Sequence, residues 1–468
     1  MRGCSAEIPG CRSRRTDRSS TGRYVADWIR IQRPTHSYLT AILLLSVLLR
    51  IAAAVYLGDV VDAPPLLTDQ RSYHALGARL IAGQGFSFDR GWYPFTPPDT
   101  PTSHWSFLYS LFVAGVYLIF GVHPLAVRLA QAVLGGLLLP WLVYRLARRI
   151  LGLPRCSGLL PLAAALLASI YAYLILYAAT LMTETFHIAA LLWMLERALA
   201  FAQAPGARQG IVVGLGLGIA TLLRQSILPW MLVMFAWLLW NGYHRQWLRR
   251  TVLGLLAAVS VLALLILPFT IRNYYVYGQF LLLNSNAGYA MYSAQHPMHG
   301  ASFREFDAAP IPQELQGLNE AQLDRELMRQ GIGFVLAEPY RYLLLCLSRV
   351  RAYFEFWPTL DTTWLHNLGR IGSFALFLPF MLYGFLLAWR QVRPSRSPSG
   401  WQDFSVTPLA FILLFESFYS LMHILTWAMP RYRLPVDAVA LPFAALGLMD
   451  LAGRVIAWRQ SKALCDLP

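Results

Sequence analysis

The chain has 468 residues, of which 57% are hydrophobic and only 13% are charged. Several runs exceed about 18 nearly uncharged apolar residues, which indicates transmembrane helices and excludes a soluble protein. The net charge of +15 comes mainly from short basic clusters between the apolar runs, which is the positive-inside pattern, so we expect no nucleic acid binding. The five cysteines form no CxxC pair and no metal-type spacing, so no disulfide framework is predicted.

The basic clusters determine the predicted topology. An Arg-rich head precedes the first apolar run at 38–57, which lies too far into the chain for a cleaved signal peptide, and we interpret this run as a signal anchor. The clusters that should share the cytoplasmic side with this head lie at 145–149, 204–209, 244–250 and 389–397.

For two apolar segments, the charge pattern decides how many times the chain crosses the membrane. The apolar stretch 105–121 is short for a span of roughly 20 residues, and counting it as a span would place 145–149 outside, so we predict a helix on the outer surface. Residues 210–240 contain Arg224 near their middle, and a tight hairpin with Arg224 at its outer tip keeps the flanking clusters inside. The predicted spans are 38–57, 124–147, 157–178, 181–202, the two arms of 210–240, 251–270, 370–390, 405–428 and 434–455.

The prediction is therefore an all-α polytopic membrane protein of about ten transmembrane helices, with two large extracytoplasmic loops that contain surface helices. No internal repeat is found, and no pair of broken helices of the kind common in secondary transporters. The predicted divisions are a cytoplasmic basic tail at 1–37, a transmembrane core at 38–270 with a first outer loop at 58–123, a second outer loop at 271–368, C-terminal spans at 369–455 with a linker at 393–400, and a cytoplasmic tail at 456–468.

Polar side chains at the outer ends of the spans are the candidates for function, because an ionisable residue at membrane depth is costly. The carboxylates of Asp69 and Glu184 could deprotonate or orient a hydroxyl group. Arginines could bind a phosphate bidentately and stabilise a departing phosphate. Sugar transfer from a lipid phosphate needs both elements. The candidates for binding substrate or phosphate are Arg71, Tyr73, His104, Arg224, Arg272, Arg431 and Arg433.

Simpler interpretations stay open for the same residues. Asp69 could cap the amphipathic helix predicted after it, and Glu184 could be an ordinary first-turn carboxylate. The outer arginines could be interfacial anchors, and His104 could be an ordinary loop histidine. His187, on an apolar helix face, is predicted to be a packed core residue.

The order of these motifs resembles the GT-C superfamily of polytopic glycosyltransferases, in particular the dolichyl-phosphate-mannose protein mannosyltransferases and the lipid A aminoarabinose transferases. The matching motifs are Thr68-Asp69-x-x-x-Tyr73, Ala82-Gly83-Gln84-Gly85-Phe86, Pro97-Pro98-x-x-Pro101, Trp105-Ser-Phe-Leu-Tyr109, Gly121 to Arg128-Leu, Thr183-Glu184, Arg272-Asn273-Tyr274-x-x-x-Gly278, Asn286-Ala-Gly288-Tyr289 and Arg431-Tyr-Arg433-Leu-Pro435.

The resemblance implies an inverting transferase that takes a sugar from a polyprenyl-phosphate donor on the extracytoplasmic face. It implies that Asp69 is the base, that Glu184 is the family's acidic residue after the third span, and that surface helices lie at about 70–83 and 105–121. The chain departs from both branches: Gln70 stands where the mannosyltransferases carry a second acid, and Ser103-His104 stands near the Glu-Lys pair of the aminoarabinose branch.

The predicted protein is a multi-pass enzyme of the bacterial inner membrane that transfers a sugar to a hydroxyl or phosphate of a lipid or protein acceptor. No cofactor is identified, and a divalent metal stays open. The alternatives are a transporter or flippase of lipid-linked saccharides, which would need a polar path through the midplane, and a ligase or polymerase acting on lipid-linked intermediates.

Overall fold

The computed structural model describes residues 35–61, 69–151, 158–304, 307–359, 364–392 and 404–465. The basic head before residue 35 and the linker 393–400 lie outside these ranges. Most of the described residues are helical, and the β-pairing among them consists of two isolated antiparallel bridges. The predicted all-α polytopic fold class is therefore confirmed.

The helices up to the middle of the chain follow the predicted order. Two of them, α2 and α3, are the helices expected at about 70–83 and 105–121. Their bounds are α1 (Thr35–Leu57), α2 (Asp69–Ile81), α3 (Phe107–Phe120), α4 (Pro124–Ile150), α5 (Leu159–Ile170), α6 (Ala172–Ala178), α7 (Glu184–Gln203), α8 (Ala207–Leu223) and α9 (Leu228–His244).

The second half begins with a helix longer than the expected span. This helix, α10, continues to Tyr277 and ends at Gly278, whose φ of 65° is left-handed, so Arg272 lies on a helix. The bounds are α10 (Leu248–Tyr277), α11 (Ala287–Gln295), α12 (Glu320–Ala337), α13 (Pro339–Tyr353), α14 (Trp364–Arg370), α15 (Leu376–Val392, entered through a π-helical turn), α16 (Pro408–Leu425) and α17 (Pro430–Cys465).

Eight helices of the described ranges are long and apolar enough to cross a membrane. The pair α5 and α6 forms a ninth segment that is bent by 57°, and the shorter apolar helix α8 makes a tenth. These ten segments fall at the predicted span positions, so the chain is a multi-pass membrane protein. Helix α3 has 14 residues, about 21 Å of helix, which is shorter than the roughly 30 Å hydrocarbon layer.

The bend between α5 and α6 was not expected from the continuous apolar sequence. It leaves the last carbonyl groups of α5 without partners in the helix. Arg50 of α1 is the hydrogen-bond donor to these carbonyl groups. Its Nη1 donates to the Ser169 carbonyl and its Nη2 to the Ala168 carbonyl, each at 3.1 Å. Arg50 is fully buried, and it also donates to the Ser46 hydroxyl. A guanidinium inside the membrane therefore caps the C-terminus of a broken span.

Glutamine side chains hold the turn between α6 and α7. Nε2 of Gln131 donates to the carbonyl groups of Tyr177, Ala178 and Thr180 at 2.6–3.2 Å. The carboxamide oxygen of Gln70 accepts from the Leu181 amide at 3.2 Å. Because this turn leads directly into Glu184, the two glutamines fix the position of the carboxylate.

The predicted hairpin at 210–240 is present, with Arg224 at the junction between α8 and α9. Helix α8 packs closely on α10 through glycines spaced four residues apart. A Cβ atom at Gly210 would overlap the Gly254 carbonyl group, and one at Gly214 would overlap the Ala258 carbonyl group. Small residues at this spacing let membrane helices approach closely, which positions the tip of the hairpin.

Glu320, at the start of α12, joins the loop between α2 and α3 to the end of α10 and the segment after it. Its carboxylate accepts from the Thr96 hydroxyl at 2.8 Å, the Ser103 amide at 2.7 Å, the Tyr277 hydroxyl at 3.2 Å and the Ser285 hydroxyl at 2.8 Å. All five residues are buried. Four donors satisfy this buried carboxylate and fix the segment that precedes His104.

Candidate active site

Four charged side chains meet at one end of the bundle. Asp69 and Glu184 are the first residues of α2 and α7, Arg224 follows the last residue of α8, and Arg431 is the second residue of α17. Both carboxylates therefore lie at helix N-termini, where the helix dipole favours negative charge. The four residues come from positions up to 362 apart in the sequence.

The four groups alternate in charge. Nη1 of Arg431 donates to Oδ2 of Asp69 at 2.9 Å. Nε of Arg431 lies 4.0 Å from Oε1 of Glu184, and the same oxygen accepts a short hydrogen bond from Nη2 of Arg224. Nε of Arg224 donates to the Thr183 hydroxyl at 2.8 Å. The order is therefore Asp69, Arg431, Glu184, Arg224, with no net charge.

The two carboxylates of this row differ in exposure. The Glu184 side chain is 2% exposed, whereas that of Asp69 is 23% exposed and those of Arg431 and Arg224 are 14% and 18% exposed. Oε2 of Glu184 and Nε of Arg431 are buried and have no hydrogen-bond partner among the described residues. Asp69 is thus the carboxylate that a substrate can reach, and both arginines keep accessible surface.

An aromatic ring supports both arginines. The guanidinium carbons of Arg224 and Arg431 lie 5.4 and 5.2 Å from the centroid of the Tyr432 ring. His423 stacks on the same ring, with 4.8 Å between centroids and 25° between planes. Cation–π contacts of this kind orient the two guanidiniums. Tyr432 and His423 were not among the predicted site residues, because aromatic residues in an apolar chain give no distinguishing signal.

Tyr73, His104 and Trp105 form a wall beside Asp69. Tyr73 packs edge-on against Trp105 with 5.6 Å between centroids, and Trp105 packs on His104 at 5.1 Å. Burial raises the pKa of the Tyr73 hydroxyl, and the Asp69 charge raises it further. Burial lowers the pKa of His104, which favours a neutral imidazole. Tyr73 and His104, both predicted site residues, therefore lie near Asp69 as uncharged groups.

Two of the other predicted arginines, Arg272 and Arg433, lie apart from this row. Arg272 binds the Thr102 carbonyl at 3.0 Å and the Ser103 hydroxyl at 2.7 Å, next to the Glu320 hub. Arg433 is fully buried and pairs with Asp437 at 3.0 Å. Arg71 lies on the exposed face of α2. The structure therefore brings together Asp69, Glu184, Arg224 and Arg431 and gives the other arginines different surroundings.

His187 packs inside the bundle, where its Nδ1 lies 3.3 Å from the Ala220 carbonyl oxygen and its Nε2 lies 3.5 Å from the Tyr419 hydroxyl. Within the described ranges, no three His, Cys, Asp or Glu side chains are grouped so that they could hold a metal ion.

Residues 102–271 match a family model described as dolichyl-phosphate-mannose-protein mannosyltransferase. A comparison with curated proteins finds no match. Among solved structures, the Archaeoglobus fulgidus oligosaccharyltransferase in its apo form superposes with a TM-score of 0.57 and 17% identity, over 93% of this chain and 52% of that one. ArnT from Cupriavidus metallidurans, bound to undecaprenyl phosphate, gives 0.50 and 14%, over 88% of this chain and 60% of that one.

The archaeal oligosaccharyltransferase AglB, solved with an inhibitory peptide and a dolichol-phosphate, gives a TM-score of 0.54 and 15% identity over 93% of this chain. The chain spans about half the length of these archaeal structures. The chain therefore shares the fold of these structures over about nine tenths of its length, and its residues 102–271 resemble the mannosyltransferase family.

Proposed function

We propose that the protein is an inverting glycosyltransferase that moves one sugar from a polyprenyl-phosphate donor to an acceptor hydroxyl or phosphate. The observation that carries the proposal is the row of Asp69, Arg431, Glu184 and Arg224, in which a reachable carboxylate adjoins two guanidiniums. The match to a mannosyltransferase family model and the polyprenyl phosphate bound to structural relatives support the same donor class.

In the proposed reaction the acceptor oxygen attacks the anomeric carbon from the side opposite the phosphate. The new bond joins this carbon to the acceptor, the bond to the phosphate oxygen breaks, and the polyprenyl monophosphate leaves with the electron pair. Asp69 takes the acceptor proton. Arg431 and Arg224 bind the phosphate and stabilise the charge that it gains as it departs.

Arg431 has two competing anionic partners in this scheme. It pairs with Asp69 at 2.9 Å, and a donor phosphate would compete for the same guanidinium. Binding of the donor then releases the Asp69 carboxylate to accept a proton. Glu184 stays paired with Arg224 and keeps that guanidinium oriented.

The proposed location is the bacterial inner membrane, with the site on the extracytoplasmic face. Support comes from charge distribution: Arg145 and Arg149 lie near the far end of α4, away from Asp69, where the positive-inside rule expects the cytoplasm. The acceptor is a lipid or a protein. The other predicted substrate contacts, from Arg71, Tyr73, His104, Arg272 and Arg433, remain proposals, and the surroundings of Arg272 and Arg433 favour support of the fold.

The transporter alternative has less support. It requires polar side chains that line a path through the midplane. Arg50 is fixed by carbonyl groups of α5, and Glu196 is fixed by three arginines, so neither side chain is directed into such a path.

The test is a transfer assay in membranes with a labelled undecaprenyl-phosphate sugar. The wild-type chain should transfer label to an acceptor fraction and release undecaprenyl phosphate. Asp69→Asn should lower this rate by about 10² to 10⁴-fold, the usual contribution of a general base. Near-wild-type turnover in a folded Asp69→Asn variant would refute the assignment. Label that crosses proteoliposomes without transfer would support the transporter instead.

A further inference from the structure

A second charged cluster lies far from the candidate active site, between the C-terminal turns of α4 and α7. The Glu196 carboxylate is almost completely buried there, and three guanidiniums surround it. Arg149 Nε lies 2.9 Å from Oε1, Arg145 Nη2 lies 3.2 Å from both oxygens, and Arg197 makes short contacts through two nitrogens. Three positive charges therefore face one negative charge.

The cluster has more donors than acceptors. Among the described residues, Glu196 and the Gln203 carboxamide oxygen, at 2.8 Å from Arg149 Nη1, are the acceptors for these three guanidiniums. The Arg145 and Arg149 side chains are 29% and 31% exposed, so part of each guanidinium is accessible. The excess charge of +2 and the accessible N–H groups favour an additional anion.

The cluster lies on a lipid-facing track. On α4, Leu134, Leu137 and Trp141 are exposed, and their spacing of three and four residues continues to Arg145 on the same helix face. The Arg145 guanidinium lies 4.9 Å from the Trp141 ring centroid. An apolar track that ends in guanidiniums matches a molecule with an acyl chain and an anionic headgroup.

The depth of the cluster fits the opposite headgroup layer. Arg128 of α4 contacts Gln70, which lies beside Asp69 in sequence. Arg145 follows 17 residues later, which is about 26 Å along the helix, close to the roughly 30 Å hydrocarbon thickness. The cluster therefore lies across the bilayer from the candidate active site.

We propose that Arg145, Arg149 and Arg197 form a binding site for an anionic phospholipid of the opposite leaflet. The lipid phosphate binds the accessible N–H groups of Arg145 and Arg149, and an acyl chain lies along Leu137 and Trp141. The negative charge of Glu196 holds the three guanidiniums together and offsets part of the repulsion between them. This site does not depend on the reaction proposed for the Asp69 row.

The test measures lipid binding to the full chain, purified in a neutral detergent and depleted of lipid. Dioleoylphosphatidylglycerol is titrated in, with dioleoylphosphatidylcholine and inorganic phosphate as parallel probes, and bound lipid is counted by native mass spectrometry. We expect the wild type to retain phosphatidylglycerol selectively. Arg145→Gln, which leaves Glu196 two guanidiniums, should weaken this binding about tenfold through the loss of one charge-assisted contact.

Arg208→Gln is the matched control, because Arg208 is an exposed arginine at the start of α8, outside the cluster. An equal loss of phosphatidylglycerol binding in both variants would contradict a specific site and would indicate binding through diffuse surface charge. Inorganic phosphate that displaces the lipid at equal concentration would overturn the lipid as ligand. If Arg145→Gln does not fold, Trp141→Ala keeps every guanidinium and should weaken lipid binding but not phosphate binding; an unchanged lipid affinity would contradict the proposal.

Discussion

The pairing of Asp69 with Arg431 predicts that removing the carboxylate has opposite effects on binding and on turnover. Nη1 of Arg431 lies 2.9 Å from Oδ2 of Asp69. A phosphate that takes Arg431 must break this contact. Asp69→Asn should therefore bind undecaprenyl phosphate more tightly than the wild type, although it lacks the base for transfer.

The expected change in the Kd for undecaprenyl phosphate follows from the solvent exposure of the Asp69–Arg431 pair. Asp69 and Arg431 are 23% and 14% exposed, so solvent screens the pair and its worth is about 1 kcal/mol. That value corresponds to about a fivefold decrease in Kd for Asp69→Asn. Arg431→Gln removes charge-assisted hydrogen bonds to the phosphate, worth about 1.5–3 kcal/mol, and should raise Kd by roughly ten- to a hundredfold.

The assay is a double-mutant cycle on undecaprenyl phosphate binding, measured by titration in nanodiscs. Removing Asp69 also removes simple repulsion between its carboxylate and the phosphate, so the single variant does not separate the two causes. The cycle separates them: if Asp69 acts through Arg431, Asp69→Asn has no effect on Kd in the Arg431→Gln background. An equal gain in both backgrounds would refute the competition and leave only repulsion.

Three further predictions concern stability. Glu320→Gln replaces one acceptor of a buried hub with a donor, and it should cost about 2 kcal/mol in detergent unfolding assays, whereas the partly exposed control Glu326→Gln should cost little. Burial raises the Asp324 pKa from 3.8 to about 6, so its contribution to stability is present below pH 4 and is lost as the pH rises through 6. Asp324→Asn should stabilise the chain at pH 8 by up to about 3 kcal/mol and leave it unchanged near pH 4 in thermal unfolding; equal shifts at both pH values would contradict this. Arg50→Met leaves the carbonyl groups at the end of α5 unsatisfied and should lower the free energy of unfolding by about 1–3 kcal/mol, and an unchanged melting temperature would argue against the capping role.

The ten apolar segments were predictable because hydropathy and charge parity act on long stretches of sequence. Parity also places Arg224 at the tip of a hairpin, on the same side as Asp69 and Glu184. The structure brings these three residues together with Arg431. Sequence reasoning therefore named all four residues that the structure groups in the row, and their role in catalysis stays a proposal.

Side-chain direction was the part that sequence reasoning could not supply. Arg431 and Arg433 are two residues apart on α17, so they point to nearly opposite faces of the helix, and only Arg431 reaches Asp69. Arg272 reaches the Glu320 hub because α10 continues beyond the apolar run. Glu320 itself gave no signal, since an acidic residue in a polar loop is ordinary until its donors are known.

The cap that Arg50 provides has a consequence for the biogenesis of the protein. The carbonyl groups that it binds belong to Ala168 and Ser169, which lie 118 and 119 positions after Arg50 in the chain. Helix α1 is therefore synthesised well before these two residues. An unpaired arginine costs about 2.5–3.5 kcal/mol at the centre of an inserting helix. Arg50 of the first span therefore lacks these hydrogen-bond partners until residues 168 and 169 have been synthesised.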